Sequence, residues 1–548
     1  MKQLLKPIFF IRILNNKERR FLILIFSLIL LSFGGILLNN CLNTNKSLPA
    51  EGGTYREAIL GYPHYLNPVL SYANDPDRDV VRLIYSGLTK FDPEGNIVPD
   101  LAENFNISNS GKTYEFFLRK NILWHDGKPF TAEDVIFTIS IIQNAEYNSP
   151  LRFNWEGVDI EKINDWTVRF KLRNAYAPFL ANTTVGILPK HIWENISSEN
   201  FISSQQNLAP IGTGAFLLKQ IKKNSQNGIN SIILEKNRRY YLKSPYLDKI
   251  ILNFYANEEE SISALNKNRV NGIALSSAFK KTGLRNNTAL NTFYPLLPRY
   301  FAAFFNQEKN PYLANINLRL ALAYATNKDL LIKQIFNEEA LKLEGPILPY
   351  FFKQEKLAEV YEYNLEKAKE YIEKVPNKDK IILTITVPAI DELIKTAEIL
   401  KNSWESLGIS IKITPVLPNE VIDNFIKPRN YEITIFGQVL SLDPDPFSFW
   451  HSSQKKDPGL NLALYGNKKA DADLEKARQE LDPEKRIALY KDFQEQLIKD
   501  VPAIFLYSPR YLYIIDKKIK GIRTDKINLP ADRFANIEDW YINTKTAQ

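Results

Sequence analysis

The sequence predicts an α/β protein of two or more lobes, carried behind one N-terminal transmembrane helix. Three observations predict it. Residues 21–38 form an eighteen-residue run without a charge. Some five hundred residues follow it, more than one hydrophobic core normally serves. Within them, strand-like and helix-like periodicities alternate, most clearly after residue 380.

The run FLILIFSLILLSFGGILL would span about 27 Å as a helix, close to the hydrocarbon thickness of a bilayer. Lys2, Lys6, Arg12, Lys17, Arg19 and Arg20 precede it against Glu18 alone, a net +5. Positive residues stay on the cytoplasmic side, so residues 1–20 are expected inside, 21–38 in the membrane, and everything later outside the cytoplasm. The flanking charge and the length disfavour a buried core helix. Three fates remain open: a retained anchor, a lipoprotein leader cut before Cys41, and a fully cleaved secretory signal. Asn39 and Asn40 stand where a lipoprotein signal needs small residues, and only Ala50 resembles a secretory cut site. The retained helix is the favoured reading, with Cys41 as the possible lipidation site.

Subtracting the leader changes the meaning of the formal charge of +8, because only +3 is left for the body. Nothing there points to nucleic acid. With 45% hydrophobic and 24% charged residues, the body is globular rather than disordered. Cys41 is the single cysteine, so no intrachain disulfide exists and stability must come from burial.

Residues 39–53 are polar and carry Pro49, Gly52 and Gly53, which suits a tether. The fold is expected to begin near Thr54. Residues 114–118 and 166–172 are β-like; Asp92-Pro93-Glu94-Gly95 and Asp126-Gly127 have the composition of turns. Thr131 with Asp134 resembles a capping box opening a helix through Ile142. Later, residues 381–387 predict a strand, 391–407 a helix stopped by Gly408, and the alternating Ile409, Ile411 and Ile413 a second strand. This is a βαβ unit. Another strand is expected over 431–436 and a helix over 471–481. Asp482 as N-cap with Pro483 then opens a helix whose stripe is Ile487, Tyr490, Phe493 and Leu497. No internal repeat is present.

Several chemistries are missing from the chain. It has no G-x-x-x-x-G-K-[ST] phosphate loop, so any energy must come from a partner. Its histidines, at 64, 125, 191 and 451, have no metal-ligand spacing, and no G-x-S-x-G elbow occurs. Neither a cofactor nor a resident metal is expected, and no catalytic residue is assigned. Carboxylates are plentiful, but without a defined geometry a pair of them reads as solvated surface.

Certain motifs occur in a telling order: Leu66-Asn67-Pro68, Ile84-Tyr85-Ser86-Gly87-Leu88-Thr89, Val98-Pro99-Asp100-Leu101-Ala102-Glu103 and Gly111-Lys112-Thr113-Tyr114. The block Trp124-His125-Asp126-Gly127-Lys128-Pro129-Phe130-Thr131-Ala132-Glu133-Asp134-Val135 follows, then Gly212-Thr213-Gly214, Phe305-Asn306 and Pro502-Ala503-Ile504-Phe505-Leu506-Tyr507. From about residue 54 to the C-terminus the chain resembles the family 5 extracellular solute-binding proteins of ABC importers, which take oligopeptides, dipeptides or nickel. The resemblance implies a type II periplasmic-binding-protein-like fold with an extra subdomain in the first lobe. Lobe I is expected over 54–299, lobe II over 300–512, and a return to lobe I over 513–548. It also implies a monomeric receptor, not an enzyme, that gives peptide to separate permease and ATPase subunits. Two other readings are a nickel or metal-chelate receptor and a sensor without transport.

By the same resemblance, the segment QVLSLDPDPFSFWHS after Gly437 enters the cleft, where an aspartate receives the peptide ammonium. If Asp445-Pro446 is the family's Asp-Pro, that position falls on Leu442, which cannot pair with a cation. A one-residue slip puts it on Asp443 instead, either as an ammonium partner or as a turn residue. Asp445 is expected to stabilise the turn, Trp450 to stack on ligand or to pack, and Tyr62, His64 and Asn67 to border the cleft. The 124–131 block reads as scaffold.

Overall fold

The computed structural model describes residues 15–43, 47–275, 284, 288–349 and 360–546. Two large sheets organise the body. The first has seven strands in the order Leu290–Phe293, Leu512–Asp516, Gly272–Leu275, Thr54–Leu60, Lys249–Tyr255, Ile229–Lys236 and Phe216–Lys223. Thr54–Leu60 is parallel to both of its neighbours and the remaining pairs are antiparallel. The second has six: Ala340–Lys342, Ala503–Pro509, Arg299–Phe305, Ile433–Val439, Ile382–Pro388 and Ser410–Val416. Between Phe293 and Arg299 the chain leaves the first sheet for the second, and between Pro509 and Leu512 it returns. A third, antiparallel sheet of Ala102–Ser108, Thr113–Leu118, Thr167–Leu172 and Val158–Asn164 shares a core with the first.

The βαβ unit forms as its periodicity predicts. Ile382–Pro388 runs parallel to Ser410–Val416, and the intervening helix Asp391–Glu405 buries Leu393, Ala397, Leu400 and Trp404 against them. Gly408 follows with φ +81, the left-handed turn a helix end favours. Strand Ile433–Val439 extends beyond the expected 436 because its ladder with Arg299–Phe305 continues to Val439. The helix expected over 471–481 is Lys468–Gln479. Asn467 caps it, its side chain accepting from the N–H groups of Lys469 and Ala470. Asp482 caps Pro483–Asp500 in the same manner, accepting from Glu484 and Lys485. Tyr490, Phe493 and Leu497 are buried along that helix, while Ile487 is half-buried.

The 124–135 block is a scaffold of hydrogen bonds. Gly127 turns at φ +92, and Trp124 N–H donates to the Lys128 carbonyl. The Asp134 carboxylate accepts from Thr131 N–H and from Lys190 N–H, each at 2.9 Å, joining the start of helix Ala132–Gln143 to a distant segment. His125 clasps the Gly212-Thr213-Gly214 turn: its N–H donates to the Gly212 carbonyl, its Nδ1 accepts from Gly212 N–H, and its Nε2 donates to the Gly214 carbonyl. Nδ1 can accept only in the neutral ring, and burial pushes the His125 pKa down to about 4. The unfolded chain takes up this proton more readily, so stability should fall as pH drops from about 6.5 through about 4. In His125→Gln that component should vanish, flattening the melting-temperature profile in this window. An unchanged slope would reject the assignment.

Helix Asn16–Asn43 precedes the body. Among the described residues no helix is long and apolar enough to cross a membrane. Phe21, Leu24, Phe26, Leu28, Ile29, Leu30, Leu31 and Phe33 are nevertheless exposed all round it. The side chains of residues 35–43, Cys41 included, lie outside the described residues.

Candidate ligand-binding cleft

A cavity of about 590 Å³ lies among residues 68–91, 151–186, 439–460 and 528–532, inside the range of roughly 300–1,000 Å³ usual for ligand pockets. One wall is helix Asp75–Ile84, which presents Arg78, Val81 and Arg82, continued by Tyr85, Gly87, Lys90 and Phe91. Trp155, Tyr176 and Ala181 come from beside the third sheet, and Val439, Leu440, Ser441, Asp443, Asp445 and Phe449 from the end of strand Ile433–Val439 and the segment after it. The C-terminal return supplies Asn528, Leu529 and Asp532.

Hydrogen bonds bridge the segments that line this cavity at two places. On one, Asn528 Oδ1 accepts from Leu442 N–H at 2.8 Å and from Ser441 Oγ at 3.1 Å. On the other, Tyr176 hydroxyl donates to Asp445 Oδ2 at 3.2 Å, and Ala177 N–H donates to the Arg478 carbonyl at 2.8 Å. The Arg478 guanidinium stands 4.9 Å from the Tyr176 ring centre and 4.3 Å from that of Phe447. Arg478 Nε lies 3.0 Å from Asp445, and Arg486 is 3.1 Å from Asp443. Burial holds the Asp443 carboxyl above the ordinary aspartate range, with Arg486 opposing that shift.

Of the residues singled out from sequence, Asp443 and Asp445 stand on the cavity wall. Asp445 also accepts from Phe447 N–H, as a turn aspartate does. Leu442 contributes its backbone to the Asn528 bridge. Gly437 lies in a strand beside Phe301, where a Cβ would come within 2.7 Å of the ring, so its smallness serves packing. Trp450 is fully buried: its Nε1–H donates to Tyr300 hydroxyl and its ring packs near Phe304 and Phe505, which places it in a hydrophobic core beside the six-stranded sheet and not on the cavity wall. Asn67 is also buried, bonded to Asn207 and Val69 N–H, and it is the adjacent Pro68 that reaches the cavity. Tyr62 and His64 are exposed and brace the start of the wall helix: the Tyr62 carbonyl accepts from Asn74, and His64 N–H donates to Asp77.

Sequence reasoning missed Arg78, Arg82, Tyr176, Arg478 and Arg486. The four-residue spacing of Arg78 and Arg82 behind Asn74-Asp75-Pro76 was a visible helix-face signal. The other three meet the cavity acids only through folding.

Residues 96–461, two-thirds of the chain, match the family model "Bacterial extracellular solute-binding proteins, family 5 Middle". The chain belongs to this family. Among the relatives of this solute-binding protein is the oligopeptide-binding protein AppA of Bacillus subtilis, 26% identical over 92% of this chain and 94% of its own. The periplasmic binding protein DppA of Helicobacter pylori, solved with the peptide STSA, is 26% identical with a TM-score of 0.75, covering 90% of this chain and 98% of its own. NikZ of Campylobacter jejuni, solved with Ni(L-His), is 28% identical with a TM-score of 0.75, covering 89% and 99%. The mixed α/β fold is thus that of periplasmic binding proteins.

Proposed function

We propose that this solute-binding protein is the extracytoplasmic receptor of an ABC importer, capturing a short peptide between its lobes and delivering it to permease and ATPase subunits. The observation that carries this is the 590 Å³ cavity, bridged by the Tyr176–Asp445 and Leu442–Asn528 hydrogen bonds and lined by aromatic, apolar and charged groups. AppA and peptide-bound DppA support peptide as the ligand class. In this reading residues 54–299 and 513–548 make lobe I, 300–512 make lobe II, and the third sheet is the inserted subdomain of a type II fold. Closure is hinge bending at the two chain crossings. The protein acts as a monomer and a binder, without catalysis.

The N-terminal helix is read as a membrane tether. An all-round apolar surface of this kind is stable in lipid and costly in water, and retention would keep the receptor beside its permease. A metal chelate is the second reading, favoured by the match to NikZ. One measurement tests these together: native mass spectrometry of the full chain extracted in detergent. Peptides of mixed sequence and an uncleaved N-terminus are expected. Ala181→Trp, which fills the cavity, should release the peptides, and its melting temperature should stay close to that of the ligand-free wild type. A bound metal complex would favour the second reading, and peptide turnover would reject a pure binder.

A further inference from the structure

Asp443 and Asp445 stand in ion pairs with arginines outside the cavity lining, whereas Arg78 and Arg82 line the cavity themselves; all four arginines carry a buried Nε without a hydrogen bond. Arg486 and Arg478 approach Asp443 and Asp445 from behind, on helices Pro483–Asp500 and Lys468–Gln479. An ammonium entering the cavity would compete with a resident cation at either carboxylate.

The opposite wall differs. Arg78 and Arg82 stand one turn apart on helix Asp75–Ile84 and both line the cavity. Arg82 Nε is buried without a hydrogen bond, its nearest carboxylate oxygen being Asp532 Oδ1 at 3.4 Å. Asp532 also accepts from Leu529 N–H through its other oxygen. The hydrogen bond of Arg82 among the described residues is a long one, 3.4 Å from Nη2 to the Phe91 carbonyl. Arg78 Nε is likewise buried and unbonded. Its terminal nitrogens contact the Tyr72 carbonyl and Asp75, an aspartate whose side chain is 54% exposed. A partner in water contributes little and is easily exchanged. Buried guanidinium N–H groups lacking acceptors are costly, so a ligand that brings acceptors is correspondingly favoured.

We propose that Arg78 and Arg82 form a carboxylate-binding subsite, so that the cavity selects ligands for a free carboxyl group and not for a free amino group. The proposal rests on the reading of this cavity as the ligand site. Peptide C-termini and small organic acids share the chemistry, and the experiment separates them.

Three randomised tripeptide libraries, with free ends, Nα-acetylated, or C-terminally amidated, would be offered to the full chain and the retained species quantified by mass spectrometry. Free and acetylated peptides should be retained alike, whereas amidation should weaken retention about tenfold or more, the worth of a charge-assisted hydrogen bond. Arg82→Gln should lower retention of the free acids by a comparable factor and abolish the acid-to-amide difference, with Arg82→Lys restoring part of it. Equal retention of amides and acids by the wild type, which needs no variant to fold, would overturn the subsite. Loss on acetylation instead would place the ammonium at Asp443 and overturn it too. If no library is retained, thermal shifts with small di- and tricarboxylates decide. A shift present in the wild type and absent in Arg82→Gln keeps the subsite and removes the peptide reading, and no shift rejects both.

Discussion

Replacing Arg533 by methionine is expected to destabilise the folded chain by about 3–5 kcal/mol, the usual cost of breaking a buried ion pair from one side. Arg533 is 1% exposed and holds three segments together. Its terminal nitrogens donate to both oxygens of Asp79 at 2.7 Å, its Nε donates to Glu57 at 3.0 Å, and Nη1 also donates to the Pro530 carbonyl. Glu57 lies on strand Thr54–Leu60 and Asp79 on the cavity-wall helix, while Arg533 follows Asp532 of the cavity rim. Tyr55 and Tyr513 hydroxyls complete the cluster by donating to Glu57.

Without the guanidinium, two carboxylates remain in a water-free space. Burial already holds both Glu57 and Asp79 above the ordinary range, with Arg533 opposing it. In the variant the folded state would bind protons that the unfolded chain releases, so its stability should fall as pH rises. The deficit measured by urea unfolding should therefore be smaller at about pH 5 than at about pH 8. A loss below about 1 kcal/mol, or one independent of pH, would show that the cluster is not maintained by this charge.

Gly212→Ala is the second large effect, a loss of about 3 kcal/mol or more by overpacking against backbone. A Cβ on Gly212 would sit 2.0 Å from the carbonyl oxygen of Ile84 and 2.7 Å from its carbon. Neither can move freely, because Gly214 N–H donates to that same oxygen at 2.8 Å and His125 clasps the turn. Ile84 ends the helix that presents Arg78 and Arg82, so the lesion should also weaken ligand binding. Gly408→Ala is the comparison: it has φ +81 with nothing within 4 Å of the added methyl, so only backbone strain applies, about 1 kcal/mol. Equal losses at the two sites would remove close approach as the explanation.

The specific blocks that link this chain to its family are mostly bracing, not contact surface. His125, Gly212 and Gly214 hold the end of the wall helix, and Asn67 ties down the loop before it. Such residues are legible because a tight turn or a close backbone approach admits few residue types. The residues that line the cavity are under no such local rule.

Local chemistry was therefore enough for the βαβ unit, the Thr131 and Asp482 caps and the turn at Asp126-Gly127, since periodicity, capping and turn formation act over a few residues. The cavity is different in kind. Arg486 meets Asp443 across 43 positions and Tyr176 meets Asp445 across 269, and no spacing rule operates at that range. Trp450 and Asp445 lie five residues apart on one segment, the first expected to stack on ligand or to pack and the second to stabilise a turn. Packing sent the indole into the hydrophobic core beside the six-stranded sheet and the carboxylate to the cavity wall, because which side of a loop is buried depends on what the rest of the chain brings against it.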